Sequence, residues 1–364
     1  MSLSQISDAG VSVWLDDLSR ERMVKGGKAT YLPDLIANDH VVGVTTNPAI
    51  FSAAIAGSTL YREDIAALYR EGKDAEGVIT GLTTSDVKQA CQLFLPTFER
   101  SHGVDGRVSI EVDPRLARDT QGTIEQARAL WELVAAPNVL IKVPATFEGL
   151  PAIERLIAEG ISVNVTIIFS LERYRAVLEA FLKGLETRVK NSQPVSGIHS
   201  VASFFVSRVD TEIDARLNGT GHENLRGKAA LANARLAYQH FLEICVSDRW
   251  QALAKRGASI QRPLWASTGV KDPAYDPTMY VLDLVAERTV NTMPEATLNA
   301  VRSSERKVSD TITGKFDEAN ELIRKLHSIG ISIDEVAEKL ESEGIDKFIK
   351  PWLELIKVVE AARA

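Results

Sequence analysis

A lysine stands at the centre of an otherwise apolar run, "NVLIKVPAT" from Asn138 to Thr146, with Val139, Leu140, Ile141 and Val143 around Lys142. An ammonium is expensive to hold in apolar surroundings, because desolvation penalises the charged form. The run therefore implies either an acidic partner for Lys142 or a use for the neutral amine as a nucleophile. Other short apolar runs carry polar residues at or near their ends: Asp16 and Asp17; Thr45, Thr46 and Asn47; Glu111 and Asp113; Asn164 and Thr166; Ser203 and Arg208; Ser267 and Lys271. One amine, several carboxylates, small hydrogen-bonding groups and two late cations suit chemistry on a carbonyl, provided that the fold brings them together. Taken singly, each has a structural reading. A strand lysine can snorkel or pair with an acid, and "DD" and "TTNP" are also turn and helix-cap material.

The elements that would have to position them are eight candidate strands. They are "VSVWL" from Val11, "VVGVTT" from Val41, "RVSIEV" from Arg107, "VLIKVP" from Val139, "SVNVTIIF" from Ser162, "GIHSVASFF" from Gly197, "RPLWAST" from Arg262 and "RTVNTMP" from Arg288. Between them lie stretches such as "TIEQARALWELVAA" from Thr123, whose apolar residues fall three and four apart as on a helix face. Runs too continuously apolar to be half exposed, alternating with helices eight times, indicate a parallel sheet closed into a (β/α)₈ TIM barrel. A doubly wound open sheet is the rival, and its nucleotide-binding form lacks the expected GxGxxG after a strand. In a barrel, residues at the C-terminal ends of the strands converge.

Two regions exceed one helix per strand. About sixty residues between the second and third strands contain several helix-like stretches, and beyond Pro294 no strong strand remains. Ser332 and Glu335 have the spacing of a capping box, Gly344 is expected to end the helix they start, and Pro351 to kink or interrupt the last one. The chain reads as one domain over 1–364, with a barrel core of about 11–300 and a helical cover of about 301–364.

Composition sets the surroundings. A net charge of −7 argues against nucleic acid or an anionic membrane as partner. Cys91 and Cys245 are too far apart to suggest a disulfide framework, no basic-then-apolar leader opens the sequence, and no apolar run reaches membrane-spanning length. A cytoplasmic protein is the expectation. His40, His102, His199, His222, His240 and His327 show no zinc-site spacing, and no cofactor is expected.

Five blocks taken together, "VTTNPAIF" (Val44–Phe51), "SIEVDPRLARDT" (Ser109–Thr120), "VLIKVPAT" (Val139–Thr146), "GISVNVTIIFS" (Gly160–Ser170) and "LWASTG" (Leu264–Gly269), resemble the transaldolase family, in order and over most of the chain. The resemblance implies a class I aldolase-type barrel in which Lys142 forms a Schiff base with a ketose phosphate. It implies that Asp16 handles the hydroxyl proton, with Thr45 beside it, and that Glu111 and Thr166 hold a catalytic water. Asn47, Asn164 and Ser203 would grip the three-carbon unit, and Arg208 and Ser267 the phosphate. Much of the family has an arginine two residues after that serine; Gly269 stands here, with Lys271 as the nearest cation. The implied activity is transfer of a dihydroxyacetone unit between sugar phosphates in the pentose phosphate pathway. A fructose-6-phosphate aldolase is the near alternative, against which Glu111 and Phe205 weigh, since relatives of that kind tend to carry glutamine and tyrosine there. A non-catalytic phosphosugar-binding barrel is the alternative of another class.

Overall fold

The computed structural model describes residues 2–363. Eight parallel strands close in chain order into a barrel: β1 (Val11–Leu15), β2 (Val41–Val44), β3 (Arg107–Glu111), β4 (Val139–Pro144), β5 (Val163–Ile168), β6 (Ser200–Phe205), β7 (Arg262–Ala266) and β8 (Thr289–Met293). All eight expected strands form. β1 and β4 to β8 are buried along their whole length. Their sequences are correspondingly continuous in apolar and small residues, because one face packs on the barrel interior and the other on helices.

The register decides what lies beside Lys142. On β3, β4 and β5, Glu111, Lys142 and Asn164 are direct partners across the ladder. Partners in register share a face, so these three polar side chains stand at one level. At the opposite end of the barrel Arg262 donates to Ser12 and pairs with Asp105. Arg107 gives its guanidinium protons to the Gly103 carbonyl.

The insert between β2 and β3 consists of the helices Pro48–Gly57, Arg62–Arg70 and Ala75–Arg100, with a 3₁₀ turn at Thr59–Tyr61. The chain's last helix, Ile333–Ala361, packs against the first and third of these, against the helix Ser207–Leu217 and against β5, so it crosses the C-terminal end of the barrel. Ser332 caps its first turn by accepting from the Glu335 amide. The expected break at Gly344 and interruption at Pro351 do not occur: both lie inside this one helix. An interior glycine costs about 1 kcal/mol and a proline about 3 kcal/mol. The buried stripe Val336, Leu340, Ile345, Phe348, Trp352, Leu355 and Val359 runs past both positions, and a buried side chain of this size contributes about 1.5–3 kcal/mol. Tertiary packing therefore outweighs local propensity.

No steric need explains the glycine at 344. A methyl group there would meet Arg208 Nη1 and the Phe169 ring at 3.7 Å, ordinary contact distance. Gly344→Ala should therefore stabilise the protein by about 0.5–1 kcal/mol through lower chain entropy in the unfolded state. Urea unfolding should show the midpoint rising; a fall would mean that the helix approaches the barrel more closely than described.

Candidate active site

A cavity of about 170 Å³ opens at the C-terminal end of the barrel. On its wall lie Asp16, Thr45, Asn47, Lys142, Thr166, Ser203, Phe205, Arg208, Ser267 and Lys271; Glu111 and Asn164, also drawn from the sequence, are not on it. Those on it come from six strands and the loops that follow them and, for Arg208, from the helix Ser207–Leu217.

Lys142 is 4% exposed, so its head group depends on protein partners. Its Nζ donates to the Thr46 carbonyl at 2.8 Å and stands 3.4 Å from Glu111 Oε2. Burial raises the pKa of Glu111 above the ordinary carboxylate value, and Lys142 opposes that rise. Glu111 Oε1 and Thr166 Oγ1 are both buried with no hydrogen-bond partner among the described residues. Each retains capacity for a ligand group or a water.

Asp16 follows β1, anchored by its amide on the Met293 carbonyl. Burial raises its pKa; the Thr45 hydroxyl, which donates to it at 2.7 Å, and the Lys142 charge pull it back down. Because Thr45 has one proton and gives it to Asp16, the 2.6 Å contact with Thr292 must be Thr292 donating to Thr45. Asp17 points elsewhere, into an ion pair with Arg22, which also binds Glu295 at the start of the helix after β8. Asp113 likewise pairs with Arg115 and is absent from the cavity wall. Asn47 combines two tasks: it lines the cavity, and its Oδ1 caps the helix Pro48–Gly57 by accepting from the Ile50 amide. Asn164 lies off the wall, donating to Ser109 and accepting from Ser203.

Arg208, Ser267 and Lys271 form the far corner. Burial lowers the Arg208 pKa, with Glu343 and Asp16 opposing, and its Nη1 is buried without a protein partner. Ser267 follows β7 with φ +56°, a conformation that costs a non-glycine residue about 1 kcal/mol, and shares a 2.9 Å hydrogen bond with Ser207. The exposed Lys271 turns back over Gly269, where an added Cβ would lie 3.8 Å from its Nζ. A cation thus stands at contact distance from the position where a side chain at 269 would begin.

Two residues on this wall are absent from the sequence reading. Thr292 sits at the end of β8 and could have been found by the strand-end rule that found the others. Phe348 comes from the last helix; its ring centroid is 5.7 Å from Lys142 Nζ and 6.0 Å from Arg208 Cζ. No sequence signal marks it, because its apolar spacing is that of any buried helix face.

The family model for transaldolase/fructose-6-phosphate aldolase matches residues 13–359. A transaldolase of Thermobifida fusca (strain YX) is 55% identical over 357 residues, 97% of this chain and 96% of that protein. A transaldolase of Arthrobacter sp. (strain FB24) is 56% identical over 363 residues, 99% of this chain and 97% of that one. For transaldolase 2 of Streptomyces coelicolor the figures are 53% over 363 residues, 99% and 96%.

The Thr45 bond makes Asp16 testable without any assay of turnover. Thr45→Val removes a donor that favours the ionised carboxylate, so Asp16 should titrate at higher pH than in the unmodified protein. Carboxyl carbon shifts followed by NMR across pH would report this; an unmoved or lowered titration would show that Thr45 does not set the Asp16 charge.

Proposed function

The chain belongs to the transaldolase/fructose-6-phosphate aldolase family, and on that premise we propose that Lys142 is its Schiff-base lysine and Asp16, Glu111 and Thr166 its proton-handling groups. The activity is that of a transaldolase acting on sugar phosphates in the pentose phosphate pathway. A dihydroxyacetone unit passes from sedoheptulose 7-phosphate or fructose 6-phosphate to an aldose phosphate, glyceraldehyde 3-phosphate or erythrose 4-phosphate.

The observation that carries the assignment is the buried amine with Glu111 in register beside it at 3.4 Å, on a cavity wall that it shares with Asp16. In its neutral form Lys142 attacks the ketose C2 carbonyl; proton transfers through Glu111 and a water near Thr166 expel hydroxide as water and leave a protonated imine. Asp16 takes the C4 hydroxyl proton, the C3–C4 bond breaks, and its electron pair moves into the imine to give an enamine. The aldose phosphate leaves, and a second aldehyde is attacked by the enamine as Asp16 returns its proton. The raised pKa of Asp16 helps this exchange, because a stronger conjugate base accepts the hydroxyl proton more readily. Arg208, Ser267 and Lys271 are assigned to the phosphate, with Arg208 offering a guanidinium proton that no protein group uses. Asn47 and Ser203 are assigned to the three-carbon unit, with Asn164 acting behind Ser203 through their 2.7 Å bond. The chain reads as a single barrel domain with the last helix as cover. A cytoplasmic location without nucleic-acid or membrane partners fits its acidity and its two buried free cysteines. Among the described residues no helix is long and apolar enough to cross a membrane.

Borohydride reduction in the presence of fructose 6-phosphate should fix a three-carbon adduct on Lys142, identified by mass spectrometry. Lys142→Ala should lose it together with transfer. An adduct on another lysine, or none during turnover, would remove the assignment.

Phe205, packed 5.3 Å from Phe169 and 5.4 Å from Arg208 Cζ, offers the enamine no proton donor. Phe205→Tyr should raise release of free dihydroxyacetone when no acceptor is present and lower the transfer rate. A coupled assay follows both rates, and a variant that still only transfers would rule Phe205 out as the gate.

A further inference from the structure

The helix that carries Arg208, Ser207–Leu217, also presents two buried carboxylates, Asp210 and Asp214, that line a second cavity of about 290 Å³ beside the catalytic one. Lys271 lies on the wall of both cavities. On one side stands Arg208; on the other stand Asp210, Asp214 and Asp272, with Arg226 among them. Those carboxylates offer a flexible ammonium an alternative to the corner assigned to phosphate.

Hydrogen bonds already take acceptor positions on those carboxylates. Asp214 accepts from the Tyr275 hydroxyl at 2.7 Å and from the Gly227 amide at 3.0 Å. Asp210 accepts from the Tyr280 hydroxyl at 2.8 Å and from the Ala230 amide at 2.8 Å. Asp272 is paired with Arg226 at 3.2 Å. Tyr275 stands four residues after Lys271, on the same loop between β7 and β8. Its ring lies on Gly227, whose φ of +68° already favours glycine and where a Cβ would meet Tyr275 Cζ at 2.9 Å. One hydroxyl therefore ties the Lys271 loop to the Arg208 helix and takes an acceptor position on Asp214 that an ammonium could otherwise use.

We propose that Tyr275 is a positioning residue for the phosphate end of the sugar, keeping Lys271 on the catalytic side by engaging Asp214. The proposal rests on the reading of Lys271 as a phosphate cation. Tyr275→Phe removes only the hydroxyl of a half-buried ring and keeps the packing on Gly227.

With saturating fructose 6-phosphate as donor, erythrose 4-phosphate and unphosphorylated glyceraldehyde can serve as rival acceptors, and both reactions release glyceraldehyde 3-phosphate for one common assay. Tyr275→Phe should raise KM for erythrose 4-phosphate on the order of three- to tenfold, the weight of one hydrogen bond. KM for glyceraldehyde and kcat should hold. In a Lys271→Ala background the same substitution should change nothing further. An equal rise for both acceptors, or an effect that persists without Lys271, would overturn the positioning role while leaving the phosphate corner standing. If Lys271→Ala itself leaves the preference for the phosphorylated acceptor unchanged, the phosphate reading of Lys271 falls and takes the proposal with it.

Discussion

The cost of keeping an ammonium inside a barrel organises this structure. Removing a charge from water is costly unless a partner is at hand, and the ladder register supplies one. It brings Glu111 alongside Lys142 but at 3.4 Å, while the shorter bond, 2.8 Å, goes to the neutral Thr46 carbonyl. Burial pushes Glu111 and Asp16 upward, and the Lys142 charge opposes that rise in both. Shifting any one of three strands by a residue would turn its contribution away from the others.

Much of this could be read before any coordinates. Continuous apolar runs with β-branched residues are what strands buried on both faces need, so all eight were legible, and the strand-end rule then collected the polar set around Lys142. The sixty-residue insert was legible for the same reason, as amphipathic periodicity without strands. The choice between Asp16 and Asp17 was harder. Alternation along an extended chain shows that adjacent residues diverge, but which of them faces inward depends on Arg22 and Glu295, whose approach comes from folding.

Other features resist sequence reasoning because they are properties of a trajectory. Gly344 and Pro351 are helix breakers by propensity, and only the surface beneath them shows why the helix continues. Phe348 is indistinguishable in sequence from Leu340 or Leu355 on the same stripe, yet it alone of the three lies on the catalytic cavity wall. The positions that sequence reasoning missed or misread belong mainly to the tail that crosses the barrel mouth.

That tail gives the chain a temporal order. Every strand of the barrel, through Met293, leaves the ribosome before Phe348 is synthesised. Because synthesis proceeds at about 5–20 residues per second, several seconds separate the last strand from the helix that carries Phe348. The wall of the catalytic cavity is therefore complete only once that helix is in place.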